Sequence, residues 1–557
     1  MKRLPALLVT LLLTFSLPAQ AGETPRQAAI ATAHPAATVA ALETLAAGGN
    51  AFDAAVAASA ALAVVEPYGS GLGGGGFFLL RIAGDPPGYR FLDAREQAPR
   101  AASAQMYQQQ PERSLDGALA AGIPGLPAAL VDLSERYGRL PLSASLAPAI
   151  RLAEDGFPVD RIYQERAGWR LKALRRDPES ARIFLARGEI PEEFSLIRQP
   201  QLAGTLKRLA ASGHDGFYRG ELAEKLVSGV RAGGGIWSLR DLADYRVVER
   251  QPLQFPLGDG RLLISAPPPS AGGVALAQSL GMLQQLPWQE ATSVQRTHLV
   301  VEVLRRAYRD RGLLGDPDHV PNPLRQLLDP TYLQQLSKGI DPQHATPSSS
   351  LPPAPAWHEG DHTTHFSLID ADGNAVAATL SINLPFGAAF TVPETGILLN
   401  DEMDDFAADL QGSNAYGLSG STANAIAPGK RPLSSMSPSF IESPDSFAAF
   451  GTPGGSRIPS MVLLAMLQYL DGQPVATWPA VLRYHHQYLP DRIEYEPGTF
   501  SPGQIAELEA RGHHLEQVGR RYGNQQVLLW NKTTNAVQAA SDPRGVGLAA
   551  TLPASTE

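Results

Sequence analysis

The sequence predicts an α+β fold, with layers of helix packed on a mostly antiparallel sheet in one large unit. Three observations carry this. Ala-rich runs at 38–47 and 51–65 read as a helical hairpin, residues 115–345 read mainly as helix with Pro breaks, and short alternating runs dominate after residue 363. The length of 557 residues alone allows about three to four average domains, so the unit is set by pattern and not by size.

The elements follow in order. Gly48, Gly49 and Asn50 separate the two Ala-rich runs, glycine ending one helix and Asn50 capping the next. Residues 77–82 and 89–93 read as strands around a Gly/Pro turn, and 294–311 as the clearest amphipathic helix. A Ser/Pro-rich stretch at 345–356 can continue neither a helix nor a central strand, so a linker or exposed loop is expected there. Strand-like runs at 365–369 and 375–382 meet at Ala371, Asp372, Gly373 and Asn374, a hairpin signal. Further strands are expected at 396–400, 439–442, 447–450, 525–530 and 536–540, with a helix at 460–470.

Composition narrows the function. Apolar residues make up 44% and charged residues 18%, which fits a compact fold. A net charge of -9 supplies no footprint for nucleic acid or an anionic membrane, which leaves small molecules or peptides as partners. With no cysteine there is no disulfide, thiolate metal site or Cys nucleophile. Residues 1–21 read as a signal peptide: Lys2 and Arg3 precede an apolar stretch that ends at Ala19, Gln20 and Ala21. That stretch falls short of the roughly 20 residues a spanning helix needs, so a periplasmic or secreted location is expected.

Two motifs invite cofactor readings and fail their context tests. Gly71 to Gly76 contains a G-x-G-x-x-G spacing, but a strand follows it where a dinucleotide loop needs a helix, so close backbone approach is expected instead. His362, His365, His485 and His486 lack metal-site spacing and read as structural histidines.

The informative stretch is Asp361, His362, Thr363, Thr364, His365, Phe366 and Ser367, a linker-to-strand junction rich in hydroxyls. It is followed by Asn383, by Glu402, Met403, Asp404 and Asp405, by the run from Arg431 to Pro438, and by Gly451, Thr452, Pro453, Gly454, Gly455, Ser456 and Arg457. Preceding it are the run from Asn50 to Ala55, the run from Asp93 to Pro99, the run from Pro267 to Gly273 and Gly315 to Asp318. In this order the motifs resemble the gamma-glutamyltransferase family over nearly the whole chain after residue 21.

The resemblance implies an N-terminal-nucleophile αββα sandwich. It also implies a single precursor that cuts itself before Thr363 into a large subunit, 22–362, and a small subunit, 363–557. Thr363 would then be nucleophile and, through its freed α-amine, its own base. Ser381 occupies the place of a threonine that supports the nucleophile in relatives, and keeps the hydroxyl while losing a methyl. Arg95 matches the arginine on the substrate α-carboxylate, with Ser434 and Ser435 adding hydroxyl donors. Asn383, Glu402 and Asp405 match the residues that receive the α-ammonium, and Glu402 departs from relatives that carry glutamine. Gly454 and Gly455 match the oxyanion-hole pair, and Tyr416 a lid-loop tyrosine. Taken singly, Arg95 reads as a surface ion pair and 401–405 as a solvated acidic loop.

The implied activity is transfer of a gamma-glutamyl group from glutathione or a similar donor to water or to an amino-acid or dipeptide amine, with no metal or organic cofactor. The rivals are an acylase or poly-gamma-glutamate-processing enzyme on the same scaffold, and an unprocessed, non-catalytic binding protein for gamma-glutamyl peptides.

Overall fold

The computed structural model describes residues 24–352, 362–407 and 421–553. The signal segment, Asp361 and Tyr416 lie outside them. The frame is two antiparallel sheets. The larger runs, edge to edge, Leu548–Pro553, Gln27–Thr32, Thr363–Ile369, Ala375–Ser381, Gly75–Ile82, Gly88–Ala94 and Val248–Arg250. The smaller runs Ala536–Ser541, Gln526–Asn531, Ser446–Phe450, Ser439–Glu442, Arg261–Ser265 and Leu253–Gly258.

Side-chain alternation builds the layers. Phe78, Leu80, Phe366, Leu368, Val376 and Leu380 share a core with the helices Pro35–Ala46 and Ala51–Val65. Their neighbours Phe77, Leu79, Ile369 and Ala377 point the other way, into a core shared with Leu263, Phe440 and Phe447 of the second sheet. Gly272–Leu283, Ser293–Arg311 and Ile458–Leu470 belong to that second core and complete a helix, sheet, sheet, helix sandwich. The expected α+β class holds.

Ala51–Val65 is buried at every residue, which only a small-residue helix tolerates so close to a sheet. Its start is a capping box. Asn50 Oδ1 accepts from the N–H groups of Phe52 (2.9 Å) and Asp53 (3.1 Å), and Asp53 Oδ2 accepts from Asn50 N–H at 3.0 Å.

Three expectations need correction. Helix first and sheet later is too simple, because Gln27–Thr32 lies between later strands in the larger sheet, and Arg261–Ser265 and Leu253–Gly258 complete one edge of the smaller. Gln27–Thr32 is Ala-rich and lacks a β-type pattern, and Leu253–Gly258 carries Pro256, tolerated because it is an edge strand. Secondly, the charged side of Ser293–Arg311 is buried: Glu302 pairs with Arg306 at 2.6 Å and Arg305 at 3.3 Å. Thirdly, the start of the expected linker is pinned to that helix. Arg305 donates to Ser348 Oγ at 2.6 Å, Thr346 N–H to Glu302 at 3.0 Å, and Ser348 N–H to Asp491 at 2.7 Å.

The glycine run acts as a packing device. A Cβ on Gly73 would lie 2.0 Å from Leu398 O, and one on Gly74 2.2 Å from Ser381 O. The bare backbone thus lets Gly75–Ile82 approach the strand that carries Ser381.

Candidate active site

Thr363 is the first residue of an interior strand of the larger sheet, opposite Ser381 in register. Its hydroxyl is covered and, among the described residues, has no hydrogen-bond partner. Such an atom costs stability wherever water is excluded and nothing replaces it. Just before it, His362 N–H donates to Asn383 O at 3.2 Å, and the His362 ring stands 5.2 Å from that of Trp169.

The next residue leads to a group that sequence reading missed. Thr364 Oγ1 donates to Glu66 Oε2 at 2.6 Å, and Tyr68 OH to Glu66 Oε1 at 3.3 Å. Burial, which disfavours the charged form, raises Glu66 to about 7. His365 belongs to the core: Thr379 Oγ1 at 2.8 Å and Ser367 Oγ at 3.1 Å flank its ring, and burial lowers it to about 3. His485 lies 2.7 Å from Ser460 Oγ, and His486 3.1 Å from Asp491.

Ser381 lies between the strand start and an acidic pocket. Its Oγ accepts from Asn383 N–H at 2.8 Å, and its side chain lies near Glu402. Asn383 holds a φ of +74°, and its amide donates to Asp401 O (3.0 Å) and Oδ2 (3.3 Å), which leaves the amide oxygen as the atom able to receive a cation.

Arg95 Nη1 lies 2.9 Å from Glu402 Oε1 and 3.6 Å from Glu96, and Nη2 pairs with Asp405. Residues assigned from the sequence to opposite ends of a ligand therefore hold each other here. Arg95, Glu96, Glu402 and Asp405 are all at most 2% exposed, so neither the surface-pair nor the solvated-loop reading applies. One guanidinium faces three carboxyls. Burial and the neighbouring carboxylates outweigh Arg95 and push Glu96 up to about 7 and Glu402 well above the usual range.

Arg95 is placed by its backbone. Its N–H donates to Asp93 at 3.0 Å and its carbonyl accepts from Tyr245 OH at 2.9 Å and Arg431 at 3.2 Å. Ser434 and Ser435 are buried beside it, where Arg95 Nε lies 3.3 Å from Pro432 O. Ser434 N–H donates to Pro269 O at 2.8 Å and its hydroxyl accepts from Met436 N–H at 3.1 Å.

On the other side of Thr363 opens a cavity whose lining includes Glu66, Arg166, Gly454, Arg457 and Arg520. Gly454 and Gly455 have φ of +138° and +55°, and a Cβ on Gly454 would meet Met461 Cε at 2.5 Å. The pair forms a bare turn just before Ile458–Leu470. Arg166 and Arg520 lie 4.0 and 4.6 Å from the Trp169 ring, a cation on each contact. No sequence motif marked Arg166, Trp169 or Arg520.

A helix, sheet, sheet, helix sandwich with an unpartnered threonine hydroxyl at the start of an interior strand has the architecture of an N-terminal-nucleophile hydrolase. The chain belongs to the gamma-glutamyltranspeptidase family, whose model matches residues 37–552. It is 40% identical over 494 residues to a glutathione hydrolase proenzyme of Pseudomonas sp. (strain A14), covering 87% of this chain and 85% of that protein. The glutathione hydrolase proenzyme of Escherichia coli (strain K12) is 38% identical over 94% of this chain and 91% of its own. Among solved structures, a cephalosporin acylase from Bacillus halodurans superposes with a TM-score of 0.84 at 27% identity, covering 98% of this chain and 99% of its own.

Proposed function

We propose that the protein is an exported precursor that cuts itself between His362 and Thr363 and then acts as a glutathione hydrolase and gamma-glutamyltransferase. The observation that carries this reading is the buried Arg95, Glu402 and Asp405 cluster, with Ser381 near Glu402 and opposite Thr363 in register. One arginine among three carboxyls calls for a ligand that brings both a carboxylate and a cation. The α-amino-acid end of a gamma-glutamyl group is such a ligand. Its carboxylate takes Arg95, with Ser434 and Ser435 alongside, and its ammonium takes Glu402, Asp405 and the Asn383 amide oxygen.

Maturation begins with Thr363 Oγ adding to the carbonyl carbon of residue 362. The C–N bond breaks, an ester forms, and water cleaves it to release the α-amine of Thr363. Both sheets contain strands from both sides of the cut, which would keep the two fragments together. In turnover the α-amine, whose reference pKa is about 7.7 to 8.0, takes the hydroxyl proton as Oγ attacks the gamma-carbonyl. The backbone N–H groups of Gly454 and Gly455 receive the oxyanion, a contribution commonly worth orders of magnitude in rate. The amine then protonates the leaving nitrogen, and water or an acceptor amine resolves the acyl-enzyme.

An acylase reading draws on the superposition with the cephalosporin acylase. Against it stands the excess of buried carboxyls, which a side chain without an ammonium leaves uncompensated. The test of the proposal is maturation itself. Purified precursor is expected to yield a fragment beginning at Thr363 without added protease, Thr363→Ser to do so slowly, and Thr363→Ala to remain whole and inactive. A small fragment with any other first residue by mass spectrometry rules out Thr363 as nucleophile.

A further inference from the structure

Glu66 has no task in the mechanism above, although it lines the same cavity as Thr363 and Thr364. It ends the helix Ala51–Val65, where its N–H donates to Leu62 O at 2.8 Å and its carbonyl accepts from the N–H groups of Gly69 and Ser70 at 2.8 and 3.1 Å. That turn brings its carboxyl onto the strand start. We propose that Glu66 is a positioning residue for the nucleophile, fixing the strand start through Thr364 and, once the cut is made, supplying the negative charge beside the freed α-amine of Thr363. The inference rests on the maturation at Thr363 proposed above and deepens it.

Three observations support the assignment. The first is contact. Thr364 Oγ1 donates to Glu66 Oε2 at 2.6 Å, and a Cβ on Gly69 would lie 3.4 Å from Thr363 O, 3.5 Å from Thr364 Cβ and 3.6 Å from Glu66 Oε2. The helix end and the strand start thus meet across one bare residue. The second is a placement that stability does not favour. Glu66 is 3% exposed, its hydrogen-bond partners are the hydroxyls of Thr364 and Tyr68, and the partial negative charge of a helix C-terminus repels a carboxylate. Burial raises its carboxyl to about 7. Such a place suits a cation. The third is what the cut creates, an ammonium at Thr363 and a free strand end, and a chain end is poorly ordered unless tied down.

The charges already present around Glu66 do not fill that role. Asp160, before the helix Arg161–Leu174, adds a like charge and itself stands 3.7 Å from His34. Arg166 on that helix influences Glu66 less than burial, Thr364 or Asp160 do, and it lies on the Trp169 ring with Glu165 at 3.4 Å. Across the cavity stand His362, Arg457, Arg520 and Tyr522, with Arg457 paired to Glu494 at 2.7 Å and Arg520 on Trp169.

The consequence has a sign. A carboxylate beside the α-amine favours its ammonium form, and only the neutral amine takes the proton from Oγ. Removing the charge therefore moves the acid limb of kcat/KM to lower pH.

The experiment compares mature parent with Glu66→Gln, Thr364→Val and Thr364→Ser. The amide in Glu66→Gln still accepts from Thr364 while the charge is gone. Its Thr363 α-amine, titrated by competitive acetylation across pH with mass spectrometry of the small fragment, is expected to have a pKa lower by about half a unit or more. The acid limb of kcat/KM for gamma-glutamyl p-nitroanilide is expected to follow. Thr364→Val keeps the shape and loses the hydroxyl, so kcat is expected to fall about tenfold with KM changed less than about twofold, and Thr364→Ser to restore kcat to within about threefold. An α-amine that titrates as in the parent, a Thr364→Val enzyme with the parent's kcat, or a folded Glu66→Gln chain that does not cut itself overturns the inference. Acetylation needs no substrate. A parent cut at Thr363 that releases no p-nitroaniline therefore overturns the gamma-glutamyl reading, while the amine titration alone decides the role of Glu66.

Discussion

The two sides of Thr363 differ in charge, burial and means of support. One side is an acidic pocket closed to water, in which one guanidinium is shared among Glu96, Glu402 and Asp405. The opposite side is a partly open mouth where Arg166 and Arg520 stand on Trp169. Charges buried without water interact strongly and tolerate no mismatch, which suits recognition of one invariant group. Charges at an open mouth are screened and adaptable. The contrast teaches that burial, more than the number of charges, separates the two sides, and on the proposed reading the buried side is the one that takes the invariant group.

The largest effect is expected from unbalancing the buried side. Arg95→Gln leaves three carboxyls without their cation, and breaking such a pair costs roughly 3 to 5 kcal/mol. In that variant the folded state holds protons on Glu96 and Glu402 that the unfolded chain releases, so its stability rises as pH falls. Urea unfolding at about pH 7.5 and about pH 5.5 checks both size and sign. Asp405→Asn keeps Arg95 paired with Glu402 and is expected to unfold less readily. Its cost falls on turnover: removal of one partner of a desolvated pair, about 2 to 5 kcal/mol, lowers kcat/KM for a gamma-glutamyl anilide roughly thirtyfold to several thousandfold. A glutaryl anilide, which lacks the ammonium, is expected to change little. Equal losses on both donors in a fully cleaved enzyme would break the comparison in favour of the acylase reading.

Glu66 lies on the open side, in the cavity lining, and sharpens the comparison. Its carboxyl is raised from 4.5 to about 7, so the folded chain keeps a proton that the unfolded chain gives up in that window. Stability therefore falls as pH rises from 4.5 to about 7 and stays lower above it. Glu66→Gln is expected to flatten this slope and to gain up to about 3 kcal/mol at pH 8 with little change at pH 4, read by chemical denaturation. A variant with the parent's slope assigns the pH dependence elsewhere.

The smallest effect is ionic. Between about 0.05 and about 0.5 M salt the screening length shrinks to a few Å, so charges at the open mouth lose most of their reach. The KM of the anilide donor is expected to move less than about twofold, because its partners are buried. Steady-state kinetics across a salt series measures this, and a donor KM that moves severalfold would erase the distinction.

Much of the candidate stretch around Thr363 was legible from local order. Thr363 precedes an alternating run, Ala371 to Asn374 mark a hairpin, and Asn50 caps its helix as composition alone suggests. Ser381 was singled out by resemblance, and its place opposite Thr363 came from the register. The Gly73 and Gly74 contacts agree with the close-approach reading because a missing Cβ has a local signature.

Local chemistry by itself determined the helix caps, the hairpin, the paired glycines and the presence of a hydroxyl at the start of a strand, since each depends on residues a few positions apart. Only the tertiary structure decided that Arg95 meets Glu402 and Asp405 directly, that Glu66 accepts from Thr364, and that Arg166 and Arg520 share Trp169. Those contacts join residues far apart in the chain, and burial reverses the usual meaning of their charges. A carboxylate or guanidinium reads as surface until the fold removes its water, and no periodicity in the chain records that removal.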